Sequence, residues 1–421
     1  MLKEVFENEI GESYVKCVLD CGLKVYICEK PLYNSAYAIF GTKYGSIDNV
    51  FSVNGERVEV PEGIAHFLEH KLFESEDGDA FTRYAKTGAY ANAFTSFDKT
   101  CYIFNCSSNF EENLDILLDF VQSPYFTAAT VQKEQGIIGQ EIRMYDDSPA
   151  WRVMFNMLFA MYHSHPVRID IAGTVESIAQ IDDKLLYKCY ETFYNPQNMF
   201  LCITGNVNTE KILKTVEAAI KPKESIELTR IMPTEPDTVL KPYVEQALEV
   251  ALPMFCFGYK ENAQTKPTIK ERICTAVLLE MVVGDASPLY KRLTNEGLIN
   301  DEFSFEYFNG DGYSAVIFEG ESKNPKKVAE EIKAEINRLK EEGLNKKLFN
   351  AIRSGLYGNA IRGFNSVESI TMGLVDCAMN DTGLFDEIKY LKKITVDDVY
   401  KRLALLNDDC TVLSVITPKE K

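Results

Sequence analysis

Apolar positions along the chain follow two different periods. Val15-Lys16-Cys17-Val18-Leu19, Tyr90 to Thr95, Met199-Phe200-Leu201-Cys202-Ile203-Thr204 and Cys410 to Thr417 are short β-prone runs, and they predict strands. Asp20-Cys21-Gly22, following the first of them, reads as a hairpin turn. After Pro61-Glu62-Gly63 the period changes. Ala65, Leu68 and Leu72 recur at spacings of three, four and seven, as an amphipathic helix requires, and the proline and glycine mark its start. A second helical stripe runs through Thr130 to Met144, where Glu134, Ile138 and Glu141 share one face. That stripe is otherwise apolar, so its two glutamates would point inward, although a solvated face is the ordinary fate of glutamate.

The same order of elements occurs twice. Ile64-Ala65-His66-Phe67-Leu68-Glu69-His70 lines up with Thr275-Ala276-Val277-Leu278-Leu279-Glu280-Met281 at an offset of 211, and Ile181-Asp182-Asp183 lines up with Val396-Asp397-Asp398 at 215. Each of the later segments precedes a closing strand. Similar offsets from separate segments indicate a duplication. Residues 221–239 are rich in proline and charge and read as a linker between a first domain at 1–220 and a second at 240–421. The expected fold class is α+β, with two similar domains that each pack helices on a mostly antiparallel sheet.

Composition narrows the function. The 421 residues carry 46% hydrophobic and 26% charged side chains, a globular balance, and a formal charge of −18 that argues against nucleic-acid binding. No apolar run reaches membrane-spanning length, and the acidic amino terminus lacks a signal-peptide core, so a cytoplasmic, non-membrane protein is expected. The eleven cysteines form no CxxC pair and read as reduced, buried small residues, Cys17 and Cys21 included.

The chemistry concentrates in His66-Phe67-Leu68-Glu69-His70, which holds half of the chain's four histidines. One helical turn separates His66 from His70, so both imidazoles leave the same face and can hold one metal ion. Glu69 lies about 60° round from His66, close enough to act on a water beside that metal. Two imidazoles with carboxylate favour zinc, and a catalytic zinc keeps three protein ligands. The third ligand should be a downstream carboxylate, and spacing leaves Glu134 and Glu141 equally eligible. His163 and His165 read as loop residues beside Pro166.

The pentapeptide followed by these glutamates resembles the inverzincin metallopeptidases, the pitrilysin or insulinase family. The likeness extends through Gly88-Ala89-Tyr90-Ala91-Asn92-Ala93-Phe94-Thr95, His165-Pro166, Gly173-Thr174, Tyr194-Asn195-Pro196-Gln197-Asn198-Met199 and Gly205-Asn206-Val207, in that order. The resemblance implies that His66, His70 and Glu141 hold Zn²⁺, that Glu69 is the general base and that Glu134 supports the site. It further implies that an extended peptide adds to the strand at Asn92, Ala93 and Phe94. Members that work alone carry an arginine and a tyrosine in the second domain. Here Asn300 stands at the tyrosine position, Leu293 or Thr294 at the arginine position, and Arg292 is out of register. The resemblance therefore implies the zinc-bearing chain of a homo- or heterodimer, in which a similar chain supplies those groups and completes a peptide-hydrolysing chamber. A non-catalytic peptide-binding or assembly subunit of the same family is the alternative.

Overall fold

The computed structural model describes residues 2–76, 78–262 and 266–419. Two compact units emerge. One comprises Met1–Ile142, Asp170–Ile231 and Arg362–Phe385; the other comprises Arg143–Ile169, Met232–Ile361 and Asp386–Lys421.

The first unit contains β1 (Leu2–Glu7), β2 (Ser13–Val18), β3 (Lys24–Glu29), β4 (Ala36–Thr42), β5 (Val50–Val53), β6 (Glu56–Glu59), β7 (Glu74–Ser75), β8 (Gly78–Asp79), β9 (Tyr90–Thr95), β10 (Thr100–Cys106), β11 (Met199–Gly205) and β12 (Leu228–Arg230). The second contains β13 (Tyr243–Leu248), β14 (Met254–Lys260), β15 (Ser304–Gly310), β16 (Tyr313–Glu321) and β17 (Thr411–Pro418). The main sheet of the first unit runs β1-β2-β3-β11-β4-β10-β9, and that of the second runs β13-β17-β14-β16-β15. The last five strands of the first order match the second sheet one for one. Each sheet is antiparallel except where its closing strand, β11 or β17, lies parallel to β3 or β13.

The helices repeat as well. In chain order they are α1 (Ile64–Leu72), α2 (Ala80–Thr87), α3 (Phe110–Val121), α4 (Ala128–Asp146), α5 (Pro149–Met161), α6 (Val175–Ile178), α7 (Asp183–Phe193) and α8 (Thr209–Ala219). There follow α9 (Ile269–Val283), α10 (Pro288–Asn295), α11 (Pro325–Glu342), α12 (Lys346–Gly363), α13 (Val367–Asn380), α14 (Asp386–Lys393) and α15 (Val396–Leu403). By position between strands, α1 to α7 correspond to α9 to α15. The duplication therefore includes topology as well as sequence.

The contiguous division expected at 1–220 and 240–421 gives way to an interleaved one. Helix α5, from the first half, packs on β13, β14 and β17 of the second unit, while α13, from the second half, packs on β3, β4 and β11 of the first. Sheet chemistry explains the exchange, because each sheet has two apolar faces to cover. In the first unit Phe40, Tyr102 and Leu201 face one way and Ile39 and Cys202 the other, where Cys377 of α13 lies beside Cys202. In the second, Met157 and Met161 of α5 approach β14 so closely that a Cβ on Gly258 would lie 2.7 Å from the Met161 methyl. The 221–239 stretch likewise does more than link, since β12 pairs with β5.

The chain leaves each unit at equivalent points, between Ile142 and Arg143 in α4 and between Ile361 and Arg362 in α12. The two helices carry the same signature at an offset of 219: Gly136-Ile137-Ile138-Gly139-Gln140-Glu141-Ile142-Arg143 and Gly355-Leu356-Tyr357-Gly358-Asn359-Ala360-Ile361-Arg362.

Candidate metal centre

Helix α1 starts at Gly63, whose φ of 86° suits glycine and whose missing Cβ admits the carbonyl of Ala172 at a distance where a side chain would clash. The helix buries Phe67, Leu68 and Leu72 completely and is thereby fixed against the sheet. His66 and His70 emerge one turn apart with ring centroids separated by 4.6 Å. Opposite them runs α4, which presents both glutamates expected to point inward.

The structure separates the roles that spacing left open. Glu141 reaches both imidazoles, with Oε1 at 3.7 Å from His66 Nε2 and Oε2 at 3.4 Å from His70 Nε2. Glu134 sits on the far side of His70, its Oε1 at 3.0 Å from Nδ1. Donor atoms of His66, His70 and Glu141 all lie within 4.8 Å of one another. Tetrahedral zinc with bonds of about 2.0–2.1 Å spaces its ligand atoms about 3.3 Å apart, so small side-chain adjustments would close this set around the ion. The donor set fits zinc in chemistry too.

Electrostatics favours a cation here. Burial, with the neighbouring His70, pushes His66 down to about 3, so it is neutral and its ring nitrogen is available as a ligand. Burial also acts to lower His70, but the hydrogen bond it donates to Glu134 and the charges of Glu69 and Glu141 outweigh it and hold its pKa above the ordinary value. His66 Nδ1 is buried and meets no hydrogen-bond partner among the described residues. Glu69 is buried as well, and this raises its carboxyl pKa against the opposing pull of Thr95 and His70. Thr95 donates its hydroxyl to Glu69 Oε2 at 2.7 Å, a contact no sequence spacing announces.

Among the described residues, strand β9 forms one edge of its sheet and pairs only with β10. Ala93 and Thr95 point toward α1, while Asn92 and Phe94 alternate to the other face. Asn92 accepts a hydrogen bond from the Ala93 amide and is exposed. A cavity of about 820 Å³ lies elsewhere in this unit, but the one that touches the site is about 550 Å³. Glu69, His70, Glu134, Asn92 and Ala93 line the latter; Phe94 does not.

The remaining candidates belong to the second unit. His165 is a buried loop residue whose Nδ1 accepts the Val167 amide and whose Nε2 donates to the Asp311 carbonyl. His163 lies in the same loop, its amide held by Glu235. Arg292 pairs with Glu331 and Glu296, and Asn300 donates to Glu321 at 2.9 Å, so both are committed locally.

Residues 52–175 match the family description Insulinase (Peptidase family M16), and residues 180–356 match Peptidase M16 inactive domain. An uncharacterized zinc protease of Bacillus subtilis strain 168, YmfH, is 42% identical over 426 residues, covering 99% of each chain. The chain belongs to peptidase family M16. The crystal structure of an M16-like peptidase from Alicyclobacillus acidocaldarius superposes with a TM-score of 0.94 at 34% identity, covering 98% of this chain and 100% of the other. A protease from Helicobacter pylori, at 21% identity and a TM-score of 0.83 over 96% and 99% of the two chains, shares the fold. The first half of this M16 chain carries His66, His70 and Glu141. In the second half the corresponding positions are Val277, Met281 and Ala360, with Arg353 at the position of Glu134, and Leu279 and Glu280 are retained from the pentapeptide.

Proposed function

We propose that this M16 chain is a zinc-dependent metallopeptidase that hydrolyses unfolded peptides. The observation that carries the proposal is the convergence of His66, His70 and Glu141 within 4.8 Å, with Glu69 buried beside them. The names of its relatives as zinc proteases support it. His66, His70 and Glu141 hold the metal, and Glu134 fixes the orientation of His70 through Nδ1. Zinc bound there supplies a Lewis acid and lowers the pKa of a coordinated water. Glu69 takes the proton of the attacking water and delivers it to the amine nitrogen as the peptide C–N bond breaks. The substrate lies extended along the open edge of β9, against Asn92, Ala93 and Phe94, because that edge offers unpaired backbone donors and acceptors.

A second similar chain completes the site in this proposal and encloses it as a chamber. Arg292 and Asn300 are occupied by local acidic partners, and neither provides the arginine and tyrosine that bind the developing oxyanion in members acting alone. The test combines metal analysis with cleavage of a quenched-fluorescence peptide library by wild type and Glu69→Gln, each alone and mixed with a candidate partner chain. One zinc per chain, with cleavage that Glu69→Gln abolishes, supports the enzyme. Zinc without cleavage under any pairing overturns it in favour of a peptide-binding or assembly subunit.

A further inference from the structure

We infer that Thr95 is a positioning residue that couples the peptide-docking strand to the general base. The inference rests on the peptidase proposal for the same site and extends it to a residue outside the metal set.

Three observations meet at Thr95. It closes β9, the strand whose free edge faces no other strand of the sheet. Its hydroxyl donates to Glu69 Oε2 at 2.7 Å. Thr95 also pairs with Thr100 across the ladder, their hydroxyl oxygens 3.4 Å apart in van der Waals contact. The Thr100 proton goes to the Tyr44 carbonyl at 2.9 Å. An ionised carboxylate only accepts, so the Thr95 proton is the one that points at Glu69.

That hydroxyl bond fixes the orientation of the carboxylate. Glu69 has few alternative partners: it is 9% exposed, and the groups around it include the like charge of Glu141. Without Thr95 a buried carboxylate would lose a strong charge-assisted bond and be free to rotate. A base must meet its proton within hydrogen-bond reach, so rotation lowers the rate of the chemical step more than substrate affinity. The same strand presents Ala93 to the cavity two residues earlier. A peptide that straightens or shifts β9 on docking therefore moves the donor that orients the base, and a poorly seated peptide leaves the base misaligned.

The experiment compares Thr95→Val, which removes the hydroxyl and keeps the shape, with Thr95→Ser, which keeps the hydroxyl. Thr95→Val is expected to lower kcat about ten- to a hundred-fold, with KM within about two-fold, zinc content unchanged and Tm preserved. Thr95→Ser restores most of the rate. In a Glu69→Gln background Thr95→Val is expected to add no further loss, because both changes act through one group. Crystal structures provide a readout independent of turnover, with the Glu69 carboxylate rotated or disordered in Thr95→Val and ordered in Thr95→Ser. An active wild type with an unchanged Thr95→Val rate, a loss confined to KM, an additive loss in the double variant, or an unmoved Glu69 each overturns the coupling and leaves the peptidase proposal standing. Wild type and Glu69→Gln equally inactive in every pairing removes the proposal and the coupling together.

Discussion

The two units are built on one five-strand order and one helix sequence, yet they bury different things at the same place. In the first, α1 and α4 bring five ionisable groups against each other: His66, Glu69, His70, Glu134 and Glu141. In the second, α9 brings Val277 and Met281 into the core, and the buried charge has moved to a network centred on Glu261 and Arg402. There Arg402 reaches both Glu261 oxygens at 2.6 Å, Thr275 at 2.8 Å and Tyr307 at 3.0 Å. Tyr307 and Ser314 donate to the same carboxylate. Every charge in that network is compensated locally, as stability requires, whereas the first unit sets three carboxylates beside two imidazoles. One framework thus carries a cluster rich in carboxylates in one copy and a charge-matched lock in the other.

The widest gap between the copies is expected in turnover. Glu69→Gln should reduce kcat by about a hundred- to ten-thousand-fold, and the equivalent change Glu280→Gln should leave it at the wild-type value; initial rates on one peptide compare them directly. Equal losses would mean that the second copy is not silent. Next in size is the structural lock. Glu261→Ala strands a buried guanidinium and should lower unfolding stability by about 3–5 kcal/mol in denaturant titrations.

A reciprocal exchange sharpens the contrast. Val277→His places an imidazole in a filled apolar core and should cost about 2–4 kcal/mol. His66→Val removes a buried nitrogen with no partner and should leave the stability of metal-free chain within about 1 kcal/mol of wild type, or raise it, while zinc binding is lost. Glu134→Ala tests the support given to His70 and should weaken zinc binding or activity about ten- to a hundred-fold, measured by competition with a chromogenic chelator.

The smallest effect concerns pH. Burial alone would raise the Glu235 carboxyl, but Lys260 and the amides of His163, Ser164 and His165 outweigh it and hold the pKa down to about 2. Its contribution to stability is complete above the ordinary value of 4.5 and is lost as pH falls through about 2. The Tm difference between wild type and Glu235→Gln should therefore be constant near neutrality and shrink below pH 4.5. A difference that grows on acidification would reverse the assignment.

Local features were legible in the sequence to the extent that their periods were local. His66, Glu69 and His70 could be placed on one helix face because a single helical turn relates them, and the strands at Tyr90 to Thr95 and Met199 to Thr204 appear where their patterns lie. Glu134 and Glu141 were indistinguishable by spacing, since both occupy one stripe; only the position of α4 against α1 gives Glu141 both Nε2 atoms and Glu134 the Nδ1 of His70. Thr95 appeared in the motif without a role, because its link to Glu69 crosses from strand to helix over 26 positions. The matching glycine signatures in α4 and α12 are written in the sequence at an offset of 219, different from 211 and 215 because the connecting loops differ in length. The exchange of α5 and α13 has no local signal at all. Each is an ordinary amphipathic helix, and the sheet it covers lies far along the chain.

That exchange determines how the protein can be taken apart. A cut within residues 221–239 would yield a first fragment that carries α5 without the sheet it covers, and a second that carries α13 in the same condition. Neither fragment is expected to fold by itself, since each would expose a bare sheet face and an orphan helix. Co-expressed, the two pieces hold the complementary parts and should reassemble without a covalent connection. The duplicated halves are thus genetic repeats but mutual chaperones, and a gene split at this point would produce two obligate partners.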